Sequence, residues 1–134
     1  MRSLVLALAL AASVPAFPQG TNKTGKVVGE DIASLTKKAT AGDVIAQRVL
    51  GVHFWLGDGN DFVQAAKWFR KAAEQGDASA QFNLGLMYAN GQGVPKDDAE
   101  AVKWYRKSAE QGHAEAQQIL GLTYAHGQEI GRAH

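Results

Sequence analysis

Residue types that perform chemistry are few and scattered in this 134-residue sequence. It contains no cysteine, which excludes disulfides, thiol catalysis and cysteine-ligated zinc or iron–sulfur sites. The four histidines, His53, His113, His126 and His134, have neither an i, i+4 partner nor an HExxH motif, so no metal site is predicted. A Gly-x-Ser-x-Gly elbow and a motif-placed pair of carboxylates are also absent from the sequence. We therefore expect no catalytic residues and no cofactor.

Two short segments start like ligand-binding loops but lack residues that such loops require. Residues 20–26 read Gly-x-x-x-x-Gly-Lys, as in a phosphate-binding loop, yet Val27 stands where a Ser or Thr must hold Mg²⁺, and no buried strand precedes the segment. Residues 58–61 (Asp-Gly-Asn-Asp) begin like a calcium loop without its later Gly and Glu, so we predict a turn.

Length and charge narrow the class of protein. A chain of 134 residues has room for one small domain, and an apolar content of 46% is typical of a folded one. Lys and Arg total 14 against 13 Asp and Glu, so the sequence lacks the basic excess of nucleic-acid-binding proteins. We expect no nucleic-acid partner.

Residues 1–16 have the pattern of a secretory signal peptide. Arg2 gives a positive start, residues 4–12 are continuously apolar, and Val14-Pro15-Ala16 supplies the small residues that signal peptidase requires. The apolar run is too short to span a membrane, and an uncleaved buried helix is the alternative. We expect cleavage after Ala16 and export to the periplasm or the medium, with residues 17–30 as a flexible linker.

Glycines mark an internal repeat in the rest of the chain. Gly42, Gly76 and Gly112 are spaced by 34 and 36 residues, and two further glycine series follow the same period. Residues 65–75 and 101–111 are identical at 8 of 11 positions. A period of this length is typical of stacked pairs of helices.

Each repeat predicts two helices. A first helix over residues 77–90 ends at Gly91, and Asp61 and Asp97 are placed to cap the second helices. Trp68 and Trp104 recur at one position of the second helix, which indicates a core role. The predicted solenoid covers residues 31–128, with a capping helix at 31–41, repeats at 42–75 and 76–111, and a partial repeat at 112–128. The mid-helix glycines, such as Gly85, indicate close approach of a neighbouring helix.

Residues 84–117 closely resemble the Sel-one-like repeat (SLR), a relative of the tetratricopeptide repeat. The Gly-x-Gly-Val-Pro loop, the Trp-Tyr-Arg-Lys helix and the Ala-Glu-Gln-Gly-His-Ala junction occur in order. The resemblance implies an all-α fold, a right-handed α-solenoid of about six helices in antiparallel pairs, which acts as an adaptor or binding scaffold without catalytic residues. A cysteine-rich branch of the family is linked to β-lactam binding or hydrolysis, but this chain has no cysteine.

Residues 129–134 do not follow the repeat. Glu129 stands where the repeat predicts a glycine, and residues 130–134 resemble the translation of a sequencing adapter. We predict a non-native tail and a natural protein that continues past Gln128, with a natural frayed terminus as the alternative. The third unit lacks its second helix, so we expect Ile119, Leu120 and Tyr124 to be partly uncovered.

Candidate partner-binding residues are those that differ between repeats on the first helices, which line the concave surface in the solenoids that the chain resembles. They are Arg48, His53, Phe82, Asn83, Met87 and Asn90. We expect Phe82 and Met87 to be exposed there and to form an adaptable apolar contact. The alternatives are that these positions are unconstrained surface or pack in the core.

The sequence thus predicts an exported, non-enzymatic scaffold that binds a protein or peptide through its concave face. No membrane span and no metal are expected. Two alternatives remain open at this point: a cell-envelope or β-lactam hydrolase, suggested by family analogy, and a fragment of a longer multi-repeat adaptor.

Overall fold

The computed structural model describes the backbone of residues 31–132 and the side chains of residues 31–125. Residues 31–132 form six α-helices. They are α1 (Ile32–Thr40), α2 (Val44–Leu56), α3 (Phe62–Glu74), α4 (Ala78–Asn90), α5 (Asp98–Glu110) and α6 (Ala114–Arg132). No strand occurs within residues 31–132, and the prediction of an all-α fold is confirmed. The signal peptide and the linker, residues 1–30, lie outside the described residues.

Aspartates start five of the six helices. Each accepts a hydrogen bond from the backbone N–H three residues on, as Asp97 does from Glu100 at 3.1 Å and Asp61 from Gln64 at 3.0 Å. Such a cap satisfies a backbone donor that the helix itself cannot pair. The other three are Asp31, Asp43 and Asp77. The caps predicted at Asp61 and Asp97 are therefore confirmed.

The first helices of the second and third units end differently. Gly91 closes α4 in the left-handed conformation, with φ of 68°, as predicted. At the equivalent position, Gly127, α6 continues without a break and reaches Arg132. Pro95 follows Gly91 and prevents a continued helix, whereas no proline follows Gly127. α6, the first helix of the third unit, is therefore longer than the repeat predicts.

Successive helices pack against one another along the chain, so that each unit contacts the next. Residues 57–61 join α2 to α3, and residues 91–97 join α4 to α5; links this short make the joined helices antiparallel. Trp68 and Trp104 are buried, which confirms their predicted core role. α1 buries Leu35 and Ala39, and its other residues include exposed lysines.

Mid-helix glycines set the distance between the two helices of a unit. A Cβ built on Gly51 would lie 2.5 Å from Cδ1 of Phe69, and one on Gly85 would lie 2.6 Å from Cε1 of Tyr105. Both distances are too short for real atoms, so the aromatic ring of the second helix occupies the space that a side chain would need. The predicted close approach is confirmed at Gly51 and Gly85. At Gly121, no neighbouring atom among the described residues lies within 4 Å of the built Cβ.

We expect Gly85→Val to lower the free energy of unfolding by more than ~2 kcal/mol, because a branched side chain overpacks against the buried ring of Tyr105. Gly121→Ala is the matched control: its site is open, so it should raise stability by up to ~1 kcal/mol through helix propensity alone. Urea denaturation followed by circular dichroism measures both. Equal stability of Gly85→Val and the parent protein would contradict the packing role.

Candidate binding surfaces

Recurring glutamines connect the repeats and are part of the scaffold. Gln47 donates from Nε2 to the backbone oxygen of Ala39 at 3.0 Å, and Gln75 donates to Oε1 of Gln47 at 2.8 Å. The second unit repeats this arrangement through Gln81, Ala73 and Gln111, at 3.1 and 2.8 Å. Buried amides that are paired in this way hold neighbouring helices in register.

Arginine–tyrosine pairs form a second recurring contact between units. The guanidinium of Arg70 lies 5.6 Å from the ring centroid of Tyr88 and donates a hydrogen bond to its hydroxyl. Arg106 makes the same contact with Tyr124, at 5.9 Å from the centroid and 3.0 Å from Nε to the hydroxyl. These pairs were not identified from the sequence. Their signal was the recurrence of an arginine and a tyrosine 18 residues apart.

Three of the six predicted partner-binding residues are buried. Phe82 is 1% exposed and Met87 is 0% exposed, so the expectation that they are exposed in a concavity is wrong, and Asn83 is also buried. The ring of Phe82 lies 5.8 Å from that of Tyr105 and 4.9 Å from that of His113. The physical reason is that α4 packs against α2, α3 and α5, and His113 of the third unit also lies against Phe82.

His113 shows how the next unit covers Phe82. Its Nδ1 accepts a hydrogen bond from the backbone N–H of Ala116 at 3.3 Å, so this histidine caps α6 where other helices have aspartate. Burial lowers the pKa of His113 and outweighs the charges of Glu115 and Asp77, which act in the opposite direction. The neutral imidazole is the form that accepts this hydrogen bond.

The other three predicted residues, Arg48, His53 and Asn90, remain partly accessible. Arg48 lies with Nε 3.4 Å from a carboxylate oxygen of Asp77, which links α2 to the start of α4. His53 packs edge-on against Phe54, at 5.2 Å between centroids, and Asn90 donates to the backbone oxygen of Leu86 at 2.9 Å. A partner-binding role for these three stays a prediction.

A groove of about 530 Å³ opens between α1 and α3, with Phe54 of α2 in its wall. Two lysines dominate its charge: Nζ of Lys67 and Nζ of Lys71 lie 5.8 and 5.9 Å from the ring of Trp68. The lining residues are Thr36, Thr40, Phe54, Asp61, Gln64, Lys67, Trp68 and Lys71. Such a groove can bind a ligand that has a carboxylate and a short apolar chain. The lysine ammonium groups would pair with the carboxylate, and the aromatic wall would contact the apolar chain.

The groove marks a departure from the repeat. Thr36 and Phe54 occupy the positions at which the other units have Arg70 with Tyr88 and Arg106 with Tyr124. Both Thr36 and Phe54 line the groove. The groove therefore lies where α1 has a threonine in place of the long arginine side chain. Sequence reasoning missed the groove, although these two replacements were its visible signal.

A family model of the Sel1 repeat matches residues 44–77 and 78–113, together more than half of the chain. The chain belongs to the Sel1-repeat family. The family match coincides with the two units that contain both helices, α2 with α3 and α4 with α5. The resemblance noted from the sequence is confirmed.

Sel1-repeat relatives match this protein over part of their length. The ubiquitin-ligase component HRD3A of Arabidopsis thaliana is 41% identical over 58 residues, 42% of this chain and 9% of HRD3A. Helicobacter pylori HcpC, named a putative beta-lactamase, is 53% identical over 36 residues, 27% of this chain and 12% of HcpC. The crystal structure of c5321, a protective antigen of uropathogenic Escherichia coli with an SLR fold, superposes with a TM-score of 0.68 at 46% identity, over 72% of this chain and 21% of that one.

The described part of this Sel1-repeat protein contains neither a membrane-spanning helix nor a metal-binding group. Within residues 31–132, no helix is long and apolar enough to cross a bilayer. The same part of the chain contains no group of three or more His, Asp or Glu that could hold a metal ion. The groove and the accessible first-helix positions are therefore the candidate sites.

Asn83 allows a test of whether an unpaired polar atom at a predicted site residue lowers the stability of the protein. Its Oδ1 is buried without a hydrogen-bond donor among the described residues, while the equivalent residues, Val49 and Ile119, are apolar. We expect Asn83→Val to raise the free energy of unfolding by about 1–2 kcal/mol, because it removes an unpaired buried acceptor at similar helix propensity. Chemical denaturation measures the change.

The reciprocal variant Val49→Asn is the matched control and should lose stability. If Asn83→Val were less stable than the parent protein, the amide would have a stabilising partner in solution, and the assignment of an unpaired acceptor would be wrong.

Proposed function

We propose that this Sel1-repeat protein is an exported, non-enzymatic scaffold that binds a protein or peptide partner with an acidic segment. The groove between α1 and α3 is the observation that carries the proposal, because it combines accessible volume with two lysines and an aromatic wall. Arg48, His53 and Asn90, which are predicted to line a concave face, are partly accessible and are candidates for a further contact.

Charge in the groove favours an acidic partner. Lys67 and Lys71 face one carboxylate, Asp61, whose Oδ1 already accepts the backbone N–H of Gln64 at 3.0 Å. The ammonium groups of both lysines lie over the ring of Trp68, at 5.8 and 5.9 Å from its centroid. A partner carboxylate would find two cations there against one carboxylate that already caps α3.

Relatives support a role in protein assemblies. The name of HRD3A describes a component of a ubiquitin ligase, which is a multi-protein machine. The matched segment is a small fraction of HRD3A and of HcpC, so the activities in their names belong to those whole proteins. Turnover of a chromogenic β-lactam by the repurified chain would contradict the non-enzymatic part of the proposal.

Export is supported by the pattern of residues 1–16. When the full chain is produced in a bacterial host, we expect mass spectrometry of the periplasmic fraction to find Phe17 as the first residue. Leu8→Arg is the control, because a charge within the apolar run should keep the intact chain in the cytoplasm. Recovery of an uncleaved parent protein from the cytoplasm would contradict export.

The groove is tested by charge reversal. Peptides selected by the full chain from a random displayed library should be rich in Asp and Glu. The double variant Lys67→Glu/Lys71→Glu should weaken their binding by roughly ten-fold or more, measured by fluorescence anisotropy, because it replaces two attractive charges by two repulsive ones.

Lys103→Glu/Lys107→Glu is the matched control for this experiment. These lysines occupy the same repeat positions on α5 and carry the same charge. Beside them, the paired Arg70 and Tyr88 replace the Thr36 and Phe54 that line the groove. Reversal of the two lysine charges should change binding little. Equal losses in both double variants would show that net charge, not the groove, attracts the peptide.

A further inference from the structure

His113 connects the start of α6 to the core of the second unit. Its Nδ1 accepts the backbone N–H of Ala116 at 3.3 Å. Its ring lies over the ring of Phe82, with 4.9 Å between the centroids and 30° between the planes. Phe82 belongs to α4 and is 1% exposed. One side chain therefore caps the first helix of the third unit and also packs on the unit before it.

The cap of α6 differs chemically from the caps of α1 to α5. Each of those helices has an aspartate whose carboxylate accepts the backbone N–H, and the five are Asp31, Asp43, Asp61, Asp77 and Asp97. A carboxylate stays an acceptor down to about pH 4, and its negative charge suits the positive end of the helix dipole. An imidazole accepts only while it is neutral, because both ring nitrogens carry hydrogen once it is protonated. Among the six described helices, the cap of α6 is therefore the one that mild acid removes first.

The groups around His113 act on its protonation in opposite directions. Burial lowers the pKa of His113, and it outweighs two carboxylates that favour the protonated ring. One is Glu115 of α6, whose Oε2 lies 3.5 Å from Nδ1, and the other is Asp77 at the start of α4. Nε of Arg48, on α2, lies 3.4 Å from Asp77 and partly offsets that negative charge. The neutral imidazole is therefore the form that the folded chain favours.

α5 contributes neutral groups to this junction. The backbone N–H of His113 donates to the carbonyl oxygen of Ser108 at 3.3 Å. The ring of Tyr105 lies 5.8 Å from that of Phe82, and burial together with the charge of Asp98 raises the pKa of the Tyr105 hydroxyl, so it stays protonated near neutral pH. Of the groups that meet here, His113 is therefore the one whose charge changes in mild acid.

We propose that His113 is a pH-sensitive joint between the second and third units of the solenoid. At neutral pH, the imidazole caps α6 and packs on Phe82. Acidification protonates the imidazole, which removes the cap and places a positive charge in a partly buried site at the positive end of the α6 dipole. The first turn of α6 then separates from α4. This joint is distinct from the groove and does not rest on the proposed function.

The sign of the pH dependence follows from the same contacts. The unfolded chain binds a proton on His113 at the ordinary histidine pKa of about 6.5, whereas the folded chain binds that proton only at lower pH. The stability that His113 contributes is therefore fully present above about pH 6.5 and is lost as the pH falls through the lower pKa of the folded state.

Amide hydrogen exchange of the full chain, followed by NMR, tests the joint at single residues. Between about pH 7.5 and about pH 5, the protection factor of the Ala116 amide should fall roughly ten-fold or more. Ala80 is the internal control, because it has the same position on α4 and donates to the carboxylate of Asp77 at 2.9 Å. Its protection should stay unchanged. Equal losses at both amides would indicate general destabilisation by acid and overturn the proposal.

His113→Asp and His113→Asn are the matched variants. Both side chains cap helices well, and neither changes its charge between about pH 5 and about pH 7.5. Each also removes the ring that packs on Phe82, so the readout is the change with pH and not the absolute stability. The protection of Ala116 should be equal at the two pH values in both variants. A pH response that persists in them would belong to another group and would overturn the proposal.

Glu115→Gln tests the electrostatic part of the joint. It removes a carboxylate that favours the protonated ring, so the midpoint of the loss of Ala116 protection should move to lower pH. A rise in Ala116 protection when the parent chain is acidified would have the opposite meaning. The protonated imidazole, paired with Glu115, would then hold the junction more tightly than the neutral one, and the proposal would be wrong.

Discussion

An aromatic ring seated against a glycine is the contact on which the whole solenoid depends. At Gly51 with Phe69 and at Gly85 with Tyr105, the ring fills the space that any side chain would occupy. The two helices of each unit can therefore approach closely, and the ring is removed from water at the same time. The helix-propensity cost of a mid-helix glycine, about 1 kcal/mol, is offset by burial of a large aromatic side chain.

Contacts between units combine an apolar core that runs from α2 to α6 with polar, directional pairs. The hydrogen bonds from Gln81 to Ala73 and from Gln117 to Ala109 link one unit to the next, as do the arginine–tyrosine pairs. Hydrogen bonds specify register more strictly than apolar contact does, so they determine how units stack. Where the first unit replaces the arginine–tyrosine pair with Thr36 and Phe54, the stack persists and a groove opens.

The candidate groove occurs where the repeat pattern is interrupted. It lies at a position where a recurring arginine–tyrosine pair is missing. Residues that merely vary between otherwise complete units behave differently. Phe82 and Met87 vary, yet both are buried. In this solenoid, a missing partner is a better indication of available surface than a variable residue.

The sequence by itself determined the fold and the residues that begin, end and pack its helices. The glycine period, the capping aspartates, Gly91 with Pro95, and the recurring Trp68 and Trp104 all follow from local geometry and helix periodicity, which the chain encodes within a few turns. Only the tertiary structure decided that Phe82, Asn83 and Met87 are buried, that the groove exists and that Gly121 is open. The physical reason is that periodicity specifies which side of a helix is apolar, whereas burial depends on which neighbouring unit covers that side.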